Sequence, residues 1–150
     1  MGRTDNAVVV DRPLEEVWER MNDLENWTNL FTEYASVEVL EREGDTVKFR
    51  LTTHPDPEYD GQVWSWVSER TMDSSNYTTK SHRIETGPFE YMNIEWYFEP
   101  ENDGTKMRWV QEFSMKPSAP ANDEQAEEYL NKNTAEQMNA IKERIESSSP

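Results

Sequence analysis

Trp64, Trp66, Ser68 and Arg70 sit at every second position, so an extended segment places two indoles, a hydroxyl and a guanidinium on one side. Val63, Ser65, Val67 and Glu69 fall on the other. The stripe has two readings. One is tryptophan packing with an arginine at the rim of a sheet. The other is a pocket wall with a stacking surface at one end and a cationic group at the other. An arginine in such a low-dielectric place stays protonated and can hold negative charge that develops on oxygen. Two later stripes repeat the aromatic theme. Met92, Ile94, Trp96 and Phe98 share one face, and Met107, Trp109, Gln111 and Phe113 share another. Each residue alone is ordinary core; together they are more aromatic than a core of this size needs. Indole and thioether walls suit planar or flexible carbon-rich ligands. Gln111 needs a hydrogen-bond partner if it is buried. Arg83 shares a face with Tyr77, Thr79 and Ser81 and either pairs with a surface acid or turns inward. His82 points the opposite way, and His54, in a proline-containing loop, is given no role.

These stripes need strands to carry them, and the sequence supplies punctuation for six after a first one. Thr4 to Asp11 reads as the first strand. Asp11-Arg12-Pro13 opens a helix in which Leu14, Val17, Trp18 and Met21 keep helical spacing, and Asn22-Asp23 stops it. A second short helical piece spans Leu24 to Phe31. From Tyr34 the period is two. Val37 and Val39 alternate, Glu43-Gly44-Asp45 turns the chain, and Val47, Phe49 and Leu51 follow. His54 to Gly61 is a loop. Further strands are expected at about 62–71, 76–85, 90–99 and 105–116. Asp123 is the expected N-cap of a last helix of roughly 22 residues, about 33 Å long. Its stripe is Ala126, Leu130, Thr134, Met138, Ile141 and Ile145. Residues 147–150 read as a frayed tail. The expected class is α+β, with an antiparallel meander closing on a long C-terminal helix and a space between them.

Composition narrows the function. The chain has 150 residues, 15 Lys+Arg against 31 Asp+Glu, and a formal charge of −16. That argues against nucleic acid and against anionic membrane as partners. No cysteine is present, which removes disulfides, thiolate catalysis and thiolate metal sites. Two histidines make a zinc site unexpected. Low hydrophobicity with high charge can mean disorder, but six Trp, six Tyr and five Phe oppose it. No apolar run approaches the ~18 residues of a membrane span, and Met-Gly-Arg-Thr-Asp-Asn has no signal-peptide core. The cytoplasm is the expected compartment. The chain lacks GxGxxG, P-loop, GxSxG and HExxH motifs.

Long contiguous segments then carry a resemblance. They are Asn22-Asp23-Leu24-Glu25-Asn26-Trp27 with Leu30-Phe31-Thr32-Glu33-Tyr34-Ala35, Trp64 to Arg70, His82 to Asn93, and Met107 to Phe113. From residue 3 to about residue 145 the chain resembles bacterial type II polyketide aromatase/cyclases of the single-domain kind found in tetracenomycin and spore-pigment pathways. The loop at Pro55 to Gly61 is slightly longer than in the tetracenomycin relative. The resemblance implies a helix-grip fold, START- and Bet v 1-like, with an interior cavity. It implies an acyl carrier protein as partner, bearing a tethered poly-β-ketone from a minimal polyketide synthase, and no metal or organic cofactor. It implies regiospecific first-ring aldol closure, dehydration and aromatisation. Lack of a histidine after His82 favours the C9–C14 branch. By resemblance Arg70 is the key cavity arginine, with Tyr34 and Ser68 as catalytic polar groups. Trp27, Phe31, Trp66, Arg83 and Phe89 match wall positions, as do Met92, Trp96, Trp109 and Gln111.

The residues suit that chemistry. Aldol closure removes a proton between two carbonyls and leaves charge on oxygen, which Arg70 can stabilise. Tyr34 can donate to a carbonyl or relay a proton, and Ser68 can anchor a carbonyl or water. A buried Arg70 needs compensation that the sequence does not name. The alternative function is a non-catalytic carrier of a hydrophobic ligand on the same fold; a structural guard of the growing chain is a third. Docking of an acidic carrier needs a basic patch, for which Lys48, Arg50, Lys80, His82, Lys106 and Arg108 are candidates, or else these are ordinary strand cations.

Overall fold

Among the described residues, alternation and turn chemistry produce ten elements. A computed structural model describes residues 1–55, 61 and 63–147. Strand β1 (Gly2–Val10) precedes helix α1 (Leu14–Asn22) and a 3-10 turn (Leu24–Asn29). Strands β2 (Tyr34–Glu43), β3 (Thr46–Thr53), β4 (Ser65–Asp73) and β5 (Thr78–Arg83) follow. Then come β6 (Phe89–Glu101), β7 (Gly104–Met115) and helix α2 (Asp123–Ser147). All seven strands form one antiparallel sheet in the order β1-β7-β6-β5-β4-β3-β2. The expected 54–61 loop and 147–150 tail lie largely outside the described residues.

Several boundaries differ from the sequence expectation for local reasons. Strand β4 starts at Ser65 rather than 62. Before it, the Thr53 hydroxyl accepts the Trp64 amide at 2.9 Å, while the Thr53 amide donates to the Trp64 carbonyl at 2.8 Å. A side chain thus replaces one ladder contact. Strand β5 starts at Thr78 rather than 76 because the Asp73 carboxylate takes the amides of Ser75 and Asn76 and holds the turn. Tyr77 ends that turn at φ 53° and leaves the β5 face; its hydroxyl donates to Glu15. The N-cap of α2 is Asn122, not Asp123. Asn122 and Gln125 exchange amide bonds of 3.0 and 2.9 Å, a reciprocal capping box. The Asp123 carboxylate instead accepts the Met115 amide at 2.7 Å, tying the helix start to the end of β7.

The inner face of the sheet meets α1, the 3-10 turn and α2. Val17, Trp18 and Met21 bury one side of α1. Ala126, Thr134, Met138, Ile141 and Ile145 bury one side of α2, with Gln137 added to the expected stripe. Gln137 explains how the helix grips the chain ahead of β2. Its amide accepts from the Thr32 amide at 2.8 Å and donates to the Thr32 hydroxyl at 2.7 Å.

The outer face is a lattice of opposite charges. Register aligns Lys48, Glu69, His82, Asn93, Glu112 and Arg3 across six strands. Arg50 pairs with Glu85 at 3.0 Å, Lys48 with Glu41 at 3.7 Å, Lys106 with Glu99 at 3.8 Å, and Arg108 with Asp5 at 2.5 Å. Lys80 stands opposite Glu95. These cations are spread among acids rather than gathered into a basic patch.

Candidate active site

Between the sheet and α2 lies a cavity of about 230 Å³. Its lining includes all twelve residues singled out above: Arg70, Tyr34 and Ser68 among the polar groups, and the nine expected wall residues. Strand β4 runs from mouth to floor. Trp64, just ahead of it, is 38% exposed; Trp66 is half-buried; Ser68 is 4% and Arg70 1% exposed. The pocket-wall reading of that stripe is the one the fold adopts.

Register then builds a polar patch inside an aromatic shell. Ser68 pairs with Arg83 and Arg70 with Ser81 across β4 and β5. Opposed side chains in an antiparallel pair have Cβ atoms roughly 5 Å apart, so the four form a two-by-two square. Trp96 and Trp109 stack at 4.5 Å beside it, and Trp27 contacts Phe31 at 4.9 Å on the other wall.

Among the described residues no carboxylate pairs with Arg70. One guanidinium nitrogen, Nη2, donates to the side-chain oxygen of Asn22 at 2.9 Å and weakly to the Met21 carbonyl at 3.4 Å. The guanidinium carbon lies 5.1 Å from the Trp27 ring centre. Burial pushes its pKa down to about 9, opposed by Tyr34. The group is still a cation at neutral pH.

Arg83 turns inward, which corrects the surface-pair alternative. Its guanidinium sits 4.1 Å from the Trp66 ring centre and 4.8 Å from that of Phe89. The two rings give it a face on each side that a surface acid does not. Burial lowers its pKa to about 10, with Tyr34 and Glu33 pulling upward. Tyr34 itself is raised well above the phenol range, first by burial and then by the Glu33 carboxylate, against the pull of both arginines. At neutral pH it is a neutral phenol, able to donate a hydrogen bond.

Gln111 has the partners that its burial demands. Its side-chain oxygen accepts from Thr4 at 2.9 Å and Thr134 at 3.2 Å. Among the described residues the Nε atoms of Arg70 and Arg83 and the Trp109 indole N–H are buried without acceptors. The polar equipment of the cavity is therefore rich in donors.

The lining also holds polar residues to which the sequence reading gave no site role, Glu33, Ser81, Asn133 and His54 among them. The Asn133 amide donates to the Glu33 carboxylate at 3.0 Å, joining α2 to the segment before β2. Asn133 stands three residues past Leu130, so helical spacing held a signal for it. Among the described residues no three His, Cys, Asp or Glu side chains gather to hold a metal ion. No helix among them is long and apolar enough to cross a membrane.

Comparison with known proteins adds a family to this geometry. Residues 10–142 match the family model described as polyketide cyclase/dehydrase and lipid transport. The chain belongs to that family. This cyclase-family protein is 52% identical over 145 residues to a Streptomyces cyaneus protein named "Putative polyketide cyclase", covering 97% of this chain and 94% of the relative. Its fold superposes on the aromatase/cyclase Zhui of Streptomyces sp. R1128 with a TM-score of 0.83 at 20% identity, over 96% and 93% of the two chains. A START superfamily protein of Mycobacterium smegmatis gives 0.73 at 15% identity, over 97% and 95%. The helix-grip architecture read from the sequence is the one the chain adopts.

Proposed function

We propose that this polyketide cyclase is an aromatase/cyclase that closes the first ring of a poly-β-ketone by aldol condensation and then aromatises it. The observation that carries this reading is a buried arginine with no carboxylate partner among the described residues, on the floor of an aromatic, donor-rich cavity. A poly-β-ketone offers the complement, a carbonyl acceptor on every second carbon. The substrate is proposed to arrive tethered to an acyl carrier protein of a minimal polyketide synthase in the cytoplasm, and the first bond to join C9 and C14.

The reaction starts at a methylene between two carbonyls. Its C–H bond breaks and the proton leaves to water or to a substrate oxygen. The resulting enolate carbon attacks a carbonyl carbon five bonds along the chain, a C–C bond forms to close a six-membered ring, and the negative charge moves to that carbonyl oxygen. Arg70 holds the charge at both stages. Tyr34, kept protonated by burial, donates a hydrogen bond to the enolate or alkoxide oxygen. Ser68 and Ser81 anchor neighbouring carbonyls. The alkoxide takes a proton and leaves as water with an adjacent C–H, and enolisation completes the ring. Such a methylene is already acidic, so the main contribution of the walls is to fold the chain until one pair of carbons meets.

The test is product profiling of a minimal polyketide synthase with and without the protein, using wild type and Arg70→Ala. A shift from mixed spontaneous products to one first-ring pattern, lost in the variant, supports the reading. Tight binding of an aromatic polyketide with an unchanged profile favours the ligand-carrier alternative.

A further inference from the structure

We propose that Asn22 is a positioning residue for Arg70, presenting the guanidinium to the cavity through a neutral acceptor so that the bound substrate supplies its counter-charge. The inference builds on the cyclase reading for its activity readout only.

The orientation of Asn22 is fixed by chemistry at both ends. Its Nδ2 donates to the Trp18 carbonyl at 2.9 Å, and its Oδ1 accepts from Arg70 at 2.9 Å. A carbonyl can only accept and a guanidinium can only donate, so the reversed amide fits neither. Helix α1 ends at Asn22, and its last carbonyls have no partner further along the helix. The Met21 carbonyl takes the Trp27 indole N–H at 3.0 Å and the Arg70 Nη2 at 3.4 Å. Arg70 therefore docks on the negative end of a helix, which eases its burial without cancelling its charge.

The groups that face Arg70 bear this out. From α1 come Asn22 and the Met21 carbonyl, from the 3-10 turn the Trp27 ring, from β3 Val47, and from β5 Ser81. From β2 comes Tyr34, the only titratable group among the described residues that acts on it, while Glu33 acts on Tyr34 and Arg83. A carboxylate at position 22 would be nearly the same shape. It would pair with Arg70 permanently, and a ligand oxyanion would then have to displace a charge instead of an amide.

The test compares Asn22→Asp and Asn22→Ala by product profiling and by the carbon-13 signal of the Arg70 guanidinium carbon against pH. The wild-type signal should titrate near 9. Asn22→Asp should lose first-ring cyclisation by about tenfold or more and show no Arg70 titration in that range. Asn22→Ala should keep the low titration and lose about three- to tenfold in kcat, because the guanidinium is uncompensated but no longer held. Asn93→Asp, which adds the same charge on the outer face, should change neither readout. If Asn22→Asp does not fold, Ser81→Asp brings a carboxylate to Arg70 from β5 and should reproduce its effects. A wild-type rate with an unmoved titration in the folded aspartate variant overturns the proposal, as does a wild-type rate in Asn22→Ala. If the wild type itself directs no cyclisation, the functional reading fails, and the titration still decides whether Asn22 sets the state of Arg70.

Discussion

Burial without a carboxylate sets the behaviour of Arg70. Its folded pKa of about 9 lies well below the ordinary arginine range. The unfolded chain therefore binds this proton more tightly than the folded one between about 9 and that range. The folding penalty is fully present at neutral pH and is relieved as pH rises through 9. Replacing the guanidinium by a side chain of similar length that needs no hydration should then stabilise the fold. Arg70→Met is expected to gain about 1–4 kcal/mol at pH 7 in thermal or urea unfolding while losing cyclisation by roughly 100-fold or more. A variant that unfolds more easily would mean that the guanidinium contacts outweigh its desolvation. The same pKa gives the rate an alkaline limb. Cyclisation should fall as pH passes about 9, because the cation that holds the oxyanion is lost. Tyr34→Phe should lower the rate by about 10- to 100-fold and leave that limb in place, since burial and Glu33 keep the phenol protonated through this range.

At the scale of elements, the site depends on where strands begin and which rows they share. Gly104 shows how tight that framework is. A Cβ there would sit 2.5 Å from the Val10 carbonyl oxygen, a backbone atom with little freedom to move. Gly104→Ala should destabilise the protein by about 1–3 kcal/mol in urea unfolding. Below the transition the Arg70 titration should stay as in wild type, because the groups that face Arg70 come from α1, the 3-10 turn, β2, β3 and β5 and not from β7. The strands were legible in the sequence because alternation survives burial: Val47, Phe49 and Leu51, and Trp96 with Trp109, face inward as the pattern requires. Strand ends were less legible. The Asp73 turn and the Thr53 hydroxyl each move a boundary by two or three residues through side-chain bonds that leave no periodic trace. Arg83 shows another limit. Alternation put it on the face of Ser81, but only the fold decides that this face lies between Trp66 and Phe89. Asn22 read as a helix stop. Its second task, holding Arg70 from 48 residues away, is a contact between α1 and β4 that no local pattern carries.

For the whole molecule the question is how a chain of net charge −16 would meet the acidic carrier proposed as its partner. Docking on a basic patch would need cations free of acids. Arg50, Lys48, Lys106 and Arg108 are instead paired with Glu85, Glu41, Glu99 and Asp5. Exposed pairs of this kind contribute little stability, but they cancel the local field that would steer an anionic partner. What the mouth offers is apolar surface: Trp64 lines it while partly exposed, and Tyr129 lines it from α2. A contact made there between two acidic proteins is opposed by net repulsion, and salt screens that repulsion over a Debye length of about 10 Å at 0.1 M. Affinity for an acidic acyl carrier protein should therefore rise with salt, by about two- to fivefold from 50 to 300 mM sodium chloride, as read by calorimetry or fluorescence anisotropy. Weakening over the same range would show that a cationic surface guides docking after all, with Lys80 and His82 on β5 the first residues to neutralise. Trp64→Ala should weaken binding at every salt concentration without changing the slope, because it removes apolar contact and no charge.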